Sequence, residues 1–365
     1  MGSRRKYILL FHIIFFWVLL AARIQVVQSS SHHHHHHRHH RHRRNHHRLG
    51  PSKLFVFGDS YADTGNNPKF AESWNQPYGI SFPGEPSGRW SDGRVLTDFV
   101  ASSIGIKTPI AYRWTKIAPN KSLTHGINFA CGGSGVFDTM FAWLTPNMTT
   151  QINFFQQLIN SGVYTKTDLN SSVALVSVAG NDYAYSARND TQQELLAFIA
   201  KVVNQTALNI KRIHGMGVKK VAVIAIEPLG CLPRFAVLSS YKKCNITGNA
   251  AANLHNHLLK LAVRKLNKET KSPTFIVLDL YRAFMSVFKK RNSGNLKFSF
   301  HNPLKPCCVG IGTSNSCGSI DQSGAKKYKV CKNPKAAFFW DEVHPTQAGW
   351  QAVSLVLKSS LNQLL

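Results

Sequence analysis

Acidic residues are scarce in this chain of 365: 17 aspartates and glutamates stand against 44 lysines and arginines, a formal net charge of +27. So basic a chain is expected to adhere to polyanions. No Cys-x-x-Cys pair occurs, which removes the commonest spacing of a structural zinc site. Beyond Ser30 there is no long apolar run, so no membrane-spanning helix is expected in the remainder. Internal repeats are missing. Absent too is Gly-x-Ser-x-Gly, the strand-turn-helix signature of one large class of serine hydrolases.

What is present begins with a leader. Arg4, Arg5 and Lys6 precede an almost wholly apolar stretch, Tyr7 to Ala22, and Val27 and Ser29 have the small size of a cleavage site. Residues 1–29 are expected to be a secretory signal peptide, since the apolar stretch falls short of the ~20 residues that span a bilayer. Residues 30–50 form a low-complexity tail of histidines and arginines, expected as a solvated linker because Ser31 to Arg48 offers nothing apolar to bury. Residues 51–365 remain for one folded domain, long enough to make a core unaided. Leader and tail hold only part of the basic charge, so the domain is basic in its own right. Secretion argues against nucleic acid as the partner and for an acidic wall polysaccharide or anionic lipid.

Seven cysteines agree with an oxidising destination. Cys231 with Cys244, and the set Cys307, Cys308, Cys317 and Cys331, are expected to form three disulfides, with the pairing inside the second set left open. Cys131 is left over as a small buried residue. Sequons at Asn120, Asn147, Asn170, Asn189, Asn204 and Asn245 fit a glycoprotein.

Short apolar runs alternate with helical patterns from Leu54 onward. The strand-like runs are Leu54–Phe57, Ile127–Ala130, Ala174–Ala179, Val221–Ile226 and Phe275–Leu280. Between them lie helical patterns over Val95–Ser103, Thr150–Ile159, Thr191–Ile213 and Asn249–Asn267, with a closing helix from about Thr346 to Leu361. Nearly continuous apolar strands separated by helices indicate an α/β fold: a three-layer α/β/α domain on a mostly parallel, five-stranded sheet. Ligands in such sheets bind at the carboxyl ends of the strands. Three loops should open there: Gly58-Asp59-Ser60, Cys131-Gly132-Gly133-Ser134-Gly135, and Gly180-Asn181-Asp182.

Ser60, on a tight turn after the first strand, is a potential nucleophile. His344, with Asp341 three residues before it, is a potential base with its orienting partner. Asp59 and Asp63 are expected to build their turn and Asp182 to fix its own loop. His125, His214, His255, His257 and His301 are expected at the surface or in packing. The blocks FVFGDSYADTGN (55–66), GRWSDGRVLTDF (88–99), GINFACGGSG (126–135), VSVAGNDY (176–183), Cys-Leu-Pro (231–233), Pro-Cys-Cys (306–308) and FWDEVHPT (339–346) occur in that order. In them the chain resembles the SGNH, or GDSL, hydrolases, most closely the plant secreted GDSL esterase/lipases, from about Lys53 to near the C-terminus. Tyr61 stands where the family name has leucine.

The resemblance implies a flavodoxin-like hydrolase domain over residues 51–365 and a serine esterase working without cofactor or metal. It implies Ser60 as nucleophile, His344 as base and Asp341 as orienter. The oxyanion hole would comprise the backbone N–H groups of Ser60 and Gly133 and the side-chain amide of Asn181. Residues 66–94, with Trp74, Tyr78, Phe82 and Trp90, read by their composition as a long excursion over the edge where the three loops open, with two readings open for each aromatic: lining an acyl pocket or packing within a surface loop. The substrate would be a small or polymer-borne acyl ester. The alternatives are an acetylesterase or acyltransferase on wall polysaccharide or cutin precursors, and a non-catalytic wall-binding protein.

Overall fold

Strands made of consecutive apolar residues need cover on both faces, and helices supply it here. The structure, a computed structural model, describes residues 50–365 except 140–141, 187–190 and 290–298. The expected leader, nearly all of the His/Arg tail and the Asn189 sequon lie outside the described residues. The central sheet contains β1 (Lys53–Gly58), β2 (Ile110–Ala111), β3 (Ile127–Asn128), β4 (Ser172–Ser177), β5 (Lys220–Ala225) and β6 (Phe275–Asp279). Their order is β2-β3-β1-β4-β5-β6, and every pairing is parallel. Leu54, Phe55, Val56 and Phe57 of β1 have no exposed surface.

The sheet thus has six strands where five were expected. Only two residues long, β2 offers no apolar run to notice. β3 is shorter than the expected 127–130, and Asn128 within it donates its amide to the Ala62 carbonyl (2.7 Å) and the Thr64 hydroxyl (2.9 Å). The fourth strand ends two residues before Ala179, which takes a left-handed φ of 109°.

On one face pack α1 (Leu96–Ser103), α6 (Leu280–Lys289) and α7 (Gln347–Val356). On the other pack α2 (Met148–Asn160), α4 (Gln192–Gly215) and α5 (Ile246–Glu269). Three layers result, as expected. Thr191 and Glu194 cap α4 reciprocally, with Thr191 N–H donating to Glu194 Oε2 (2.7 Å) and Glu194 N–H to Thr191 Oγ1 (3.3 Å). Two of these helices were not expected: α6, which follows β6 directly, and α3 (Gly180–Ser186), which starts at the Gly-Asn-Asp run that the sequence assigns to a loop.

The late cysteines pair as Cys231–Cys244, Cys307–Cys331 and Cys308–Cys317, and Cys131 is free and buried. The last two bridges brace an antiparallel ribbon of β7 (Cys308–Gly310) and β8 (Tyr328–Val330). Among the described residues, no helix is long and apolar enough to cross a membrane.

Candidate active site

The turn after β1 can form only because residue 58 is glycine. Gly58 has a φ of +144°, and a β-carbon there would lie 1.9 Å from the Ser177 carbonyl oxygen. Its N–H and C=O are both held by the Gln151 amide at 2.8 Å. Asp59 N–H continues the turn onto Ser177 O (2.9 Å), and Ser60 follows, 8 % exposed. Asp63 builds the turn as expected, accepting from the Gly65 (2.7 Å) and Asn66 (2.6 Å) N–H groups. It also reaches across to Gly132 N–H (2.9 Å), tying the serine turn to the glycine-rich loop.

His344 comes from the far end of the chain, just before α7. Its Nε2 lies 2.8 Å from Ser60 Oγ, and its Nδ1 lies 2.8 Å from Asp341 Oδ2. Asp341 Oδ1 accepts the Val343 and His344 N–H groups, both at 2.8 Å. Burial by itself would raise the Asp341 carboxyl; the facing His344 charge and these hydrogen bonds outweigh it and hold the group below its ordinary value. Asp341 therefore stays a carboxylate, suited to stabilise an imidazolium. The residues expected to work together do meet.

The three expected oxyanion donors also surround this point. Ser60, Gly133 and Asn181 line one cavity with His344. Gly133 has a φ of +90°. Among the described residues, neither the Ser60 N–H nor the Gly133 N–H donates to another group. Asn181 donates one amide hydrogen to Ser134 O (2.9 Å), which leaves the second for a ligand. Asp182 corrects an expectation: it fixes the neighbouring glycine-rich loop, accepting Val136 N–H (2.9 Å) and Phe137 N–H (3.0 Å), and not its own loop.

Sequence reasoning missed several contributors. Tyr78 donates its hydroxyl to Asp341 Oδ2 at 2.8 Å, and the Trp90 ring stacks on His344, 5.1 Å between centroids. Of the four aromatics with two readings open, Trp90 lines the cavity and the other three pack within the structure. Tyr78 is buried against the Asp341 carboxylate, Trp74 sits under Lys69, and Phe82 under Arg94. No spacing could have revealed the contacts of Tyr78 with Asp341 and Trp90 with His344, because those partners are remote in sequence. His255, expected in packing, is buried with its Nδ1 2.6 Å from the hydroxyl of the cavity residue Tyr183, and burial pushes its pKa down to about 3. Glu227, which the sequence reading left aside, also lines the cavity.

That cavity holds about 620 Å³ and is walled by apolar side chains such as Leu195, Leu229, Leu232, Phe235 and Val343. Among the described residues no cluster of His, Cys, Asp and Glu could hold a metal ion. Of the sequons, Asn120, Asn170, Asn204 and Asn245 are exposed. Asn147 is half-buried, with Nδ2 on Asp138 Oδ1 at 2.7 Å.

Comparison with known proteins identifies the family. Residues 54–356 match the GDSL-like Lipase/Acylhydrolase family. The chain is 57 % identical over 318 residues to the GDSL esterase/lipase At5g03610 of Arabidopsis thaliana, covering 86 % of this chain and 88 % of that one. It is 53 % identical to At3g09930 of the same plant, covering 87 % and 90 %. Acetylajmalan esterase 2 of Rauvolfia serpentina is 31 % identical, covering 81 % and 86 %. With a parallel sheet, a matching family over most of its length and close relatives of that name, the chain belongs to the GDSL-like lipase/acylhydrolase family of carboxylic-ester hydrolases.

Proposed function

We propose that the protein is a secreted serine esterase that hydrolyses esters through an acyl-serine, with Ser60 as nucleophile, His344 as base and Asp341 as its partner. His344 Nε2 takes the Ser60 proton as Oγ bonds to the carbonyl carbon, and the imidazolium formed is stabilised by the Asp341 carboxylate. The carbonyl oxygen becomes an oxyanion held by the N–H groups of Ser60 and Gly133 and the amide of Asn181. As the tetrahedral carbon collapses, His344 returns the proton to the departing alcohol oxygen. Water then enters, gives its proton to the same nitrogen and releases the acid. No step calls for a metal or an organic cofactor.

One observation carries this reading: Ser60 Oγ, the His344 ring and the Asp341 carboxylate form a continuous hydrogen-bonded line at a cavity where two backbone N–H groups are uncommitted. The test is turnover of p-nitrophenyl butyrate by the purified protein. Ser60→Ala and His344→Ala should fall near background, and Asn181→Ala should lose about 10²–10³ in rate. Equal turnover by the wild type and Ser60→Ala would reject the mechanism.

The apolar walls favour an acyl chain of several carbons over acetate, because each buried methylene adds about 0.8 kcal/mol. In a chain-length series, kcat/KM should rise from acetate towards longer esters. A maximum at acetate would support the acetylesterase reading instead. Secretion is supported by the leader-like N-terminus and the three disulfides. Glycans are proposed first at the exposed sequons.

A further inference from the structure

At the end of β5 the chain runs Ala225-Ile226-Glu227-Pro228, and Glu227 is 4 % exposed in the wall of the catalytic cavity. Removing a carboxylate from water without a partner is costly. Among the described residues no lysine or arginine forms an ion pair with it. Its surroundings are unusual in another respect: most of the ionisable groups near it are acids. From the turn after β1 it faces Asp59 and the Tyr61 hydroxyl, and from the loop before α7 it faces His344. On the α3 side it meets Gly180, where an added β-carbon would lie 3.6 Å from Glu227 Oε1. Beyond these, Asp182 acts on Asp59, and Asp341 acts on Tyr61.

Tyr61 has one hydroxyl proton, and it goes to the Val343 carbonyl at 2.9 Å, one residue before His344. The edge of the same ring packs against His344 (5.9 Å) and Trp350 (5.0 Å). Tyr61 is thus a strut between the serine turn and the histidine loop. The Glu227 carboxyl also interacts with the Tyr61 hydroxyl; while the phenol proton serves Val343, a hydrogen bond between the two needs a proton on Glu227. Burial pushes Glu227 up to about 7, against the opposing pull of its backbone N–H, Tyr61 and His344. Once ionised, the carboxylate competes with the Val343 carbonyl for the single phenol proton, and the anion is the stronger acceptor.

We infer that Glu227 in its protonated form and Tyr61 are positioning residues for His344: they hold the Val343 carbonyl, and ionisation of Glu227 releases it. The inference rests on the serine-esterase reading, in which His344 is the base. The experiment records kcat and KM for p-nitrophenyl butyrate from about pH 5.5 to 8.5 for the wild type, Glu227→Gln, Tyr61→Phe and Asp59→Asn. Wild-type kcat/KM is expected to fall about fivefold as pH rises past 7, the scale of one lost hydrogen bond. Glu227→Gln, whose amide can donate to Tyr61 at every pH, should lose that fall. Tyr61→Phe should show reduced kcat with little change in KM at all pH values, and no fall. Asp59→Asn should retain it.

A fall that survives in Glu227→Gln would overturn the inference by assigning the titration to another group. Survival in Tyr61→Phe would overturn it by showing that the Glu227 charge acts directly on the imidazole. Melting temperature supplies a readout independent of turnover: Glu227→Gln should melt above the wild type near pH 8 and lose that lead near pH 5. No lead near pH 8 would contradict a proton held by Glu227. Wild-type turnover that Ser60→Ala does not abolish would defeat the parent reading, and this one with it. An unchanged Glu227→Gln profile in a Ser60-dependent enzyme would defeat this one alone.

Discussion

Asp341 receives the His344 ring N–H, two backbone N–H groups and the Tyr78 hydroxyl. The first three donors lie within three residues of it, a local turn that any reader of Asp-Glu-Val-His can anticipate. Tyr78 lies 263 residues away, and only the folded chain brings it there. Burial and then the Asp341 charge raise the Tyr78 phenol well above its ordinary value, so it stays a donor. Tyr78→Phe removes a hydrogen bond to a charged group, a loss of about 1.5–3 kcal/mol if fully expressed. We expect kcat to drop about tenfold or more with KM nearly constant. Steady-state kinetics decide it: unchanged kcat would reduce the phenol to a space-filler. Trp90, stacked on the imidazole, was equally invisible, since aromatic stacking leaves no spacing in the sequence.

At the scale of elements, what was legible was what is locally encoded. The Thr191 and Glu194 capping pair announced α4, and the apolar runs announced β1, β4, β5 and β6 within a few residues. Thr191 is exposed and remote from the triad, so Thr191→Ala should lower unfolding free energy by about 1 kcal/mol. Denaturant melts would measure that change, with esterase turnover per folded molecule expected to stay constant. What escaped were elements whose form depends on neighbours. α3 begins at Gly180-Asn181-Asp182 because the Asp182 carboxylate is anchored by the Val136 and Phe137 N–H groups of another loop. A pattern reader sees three turn-forming residues there and no helix.

For the molecule as a whole, the buried carboxyls set an unusual dependence on pH. Burial, only partly offset by backbone N–H donors, raises Asp63 and Asp182 to about 6, and Glu227 is raised to about 7. Each binds its proton more tightly in the folded state than unfolded, where carboxyls titrate near 4. Folding stability contributed by these groups is therefore full below pH about 4 and is lost as pH climbs to about 7. His255 works in the opposite sense, since its neutral buried ring costs stability as pH falls below about 6.5. Asp341, held low, contributes above about pH 4 and so is intact throughout this window. Three raised carboxyls outweigh one lowered imidazole. Calorimetry should find a higher melting temperature near pH 5 than near pH 8; the reverse order would contradict the burial argument.

The sequence by itself determined the layered α/β frame, the cysteines that pair and the meeting of Ser60 with Asp341 and His344. Strand burial, capping and a family of ordered blocks are all written in neighbouring residues. Only the tertiary structure decided which disulfides form within the late cluster, which aromatics touch the triad, and that Glu227 and Tyr61 share the cavity with His344. Those contacts join segments far apart in the chain, and such proximity arises from packing the helices on the sheet, which no local pattern records.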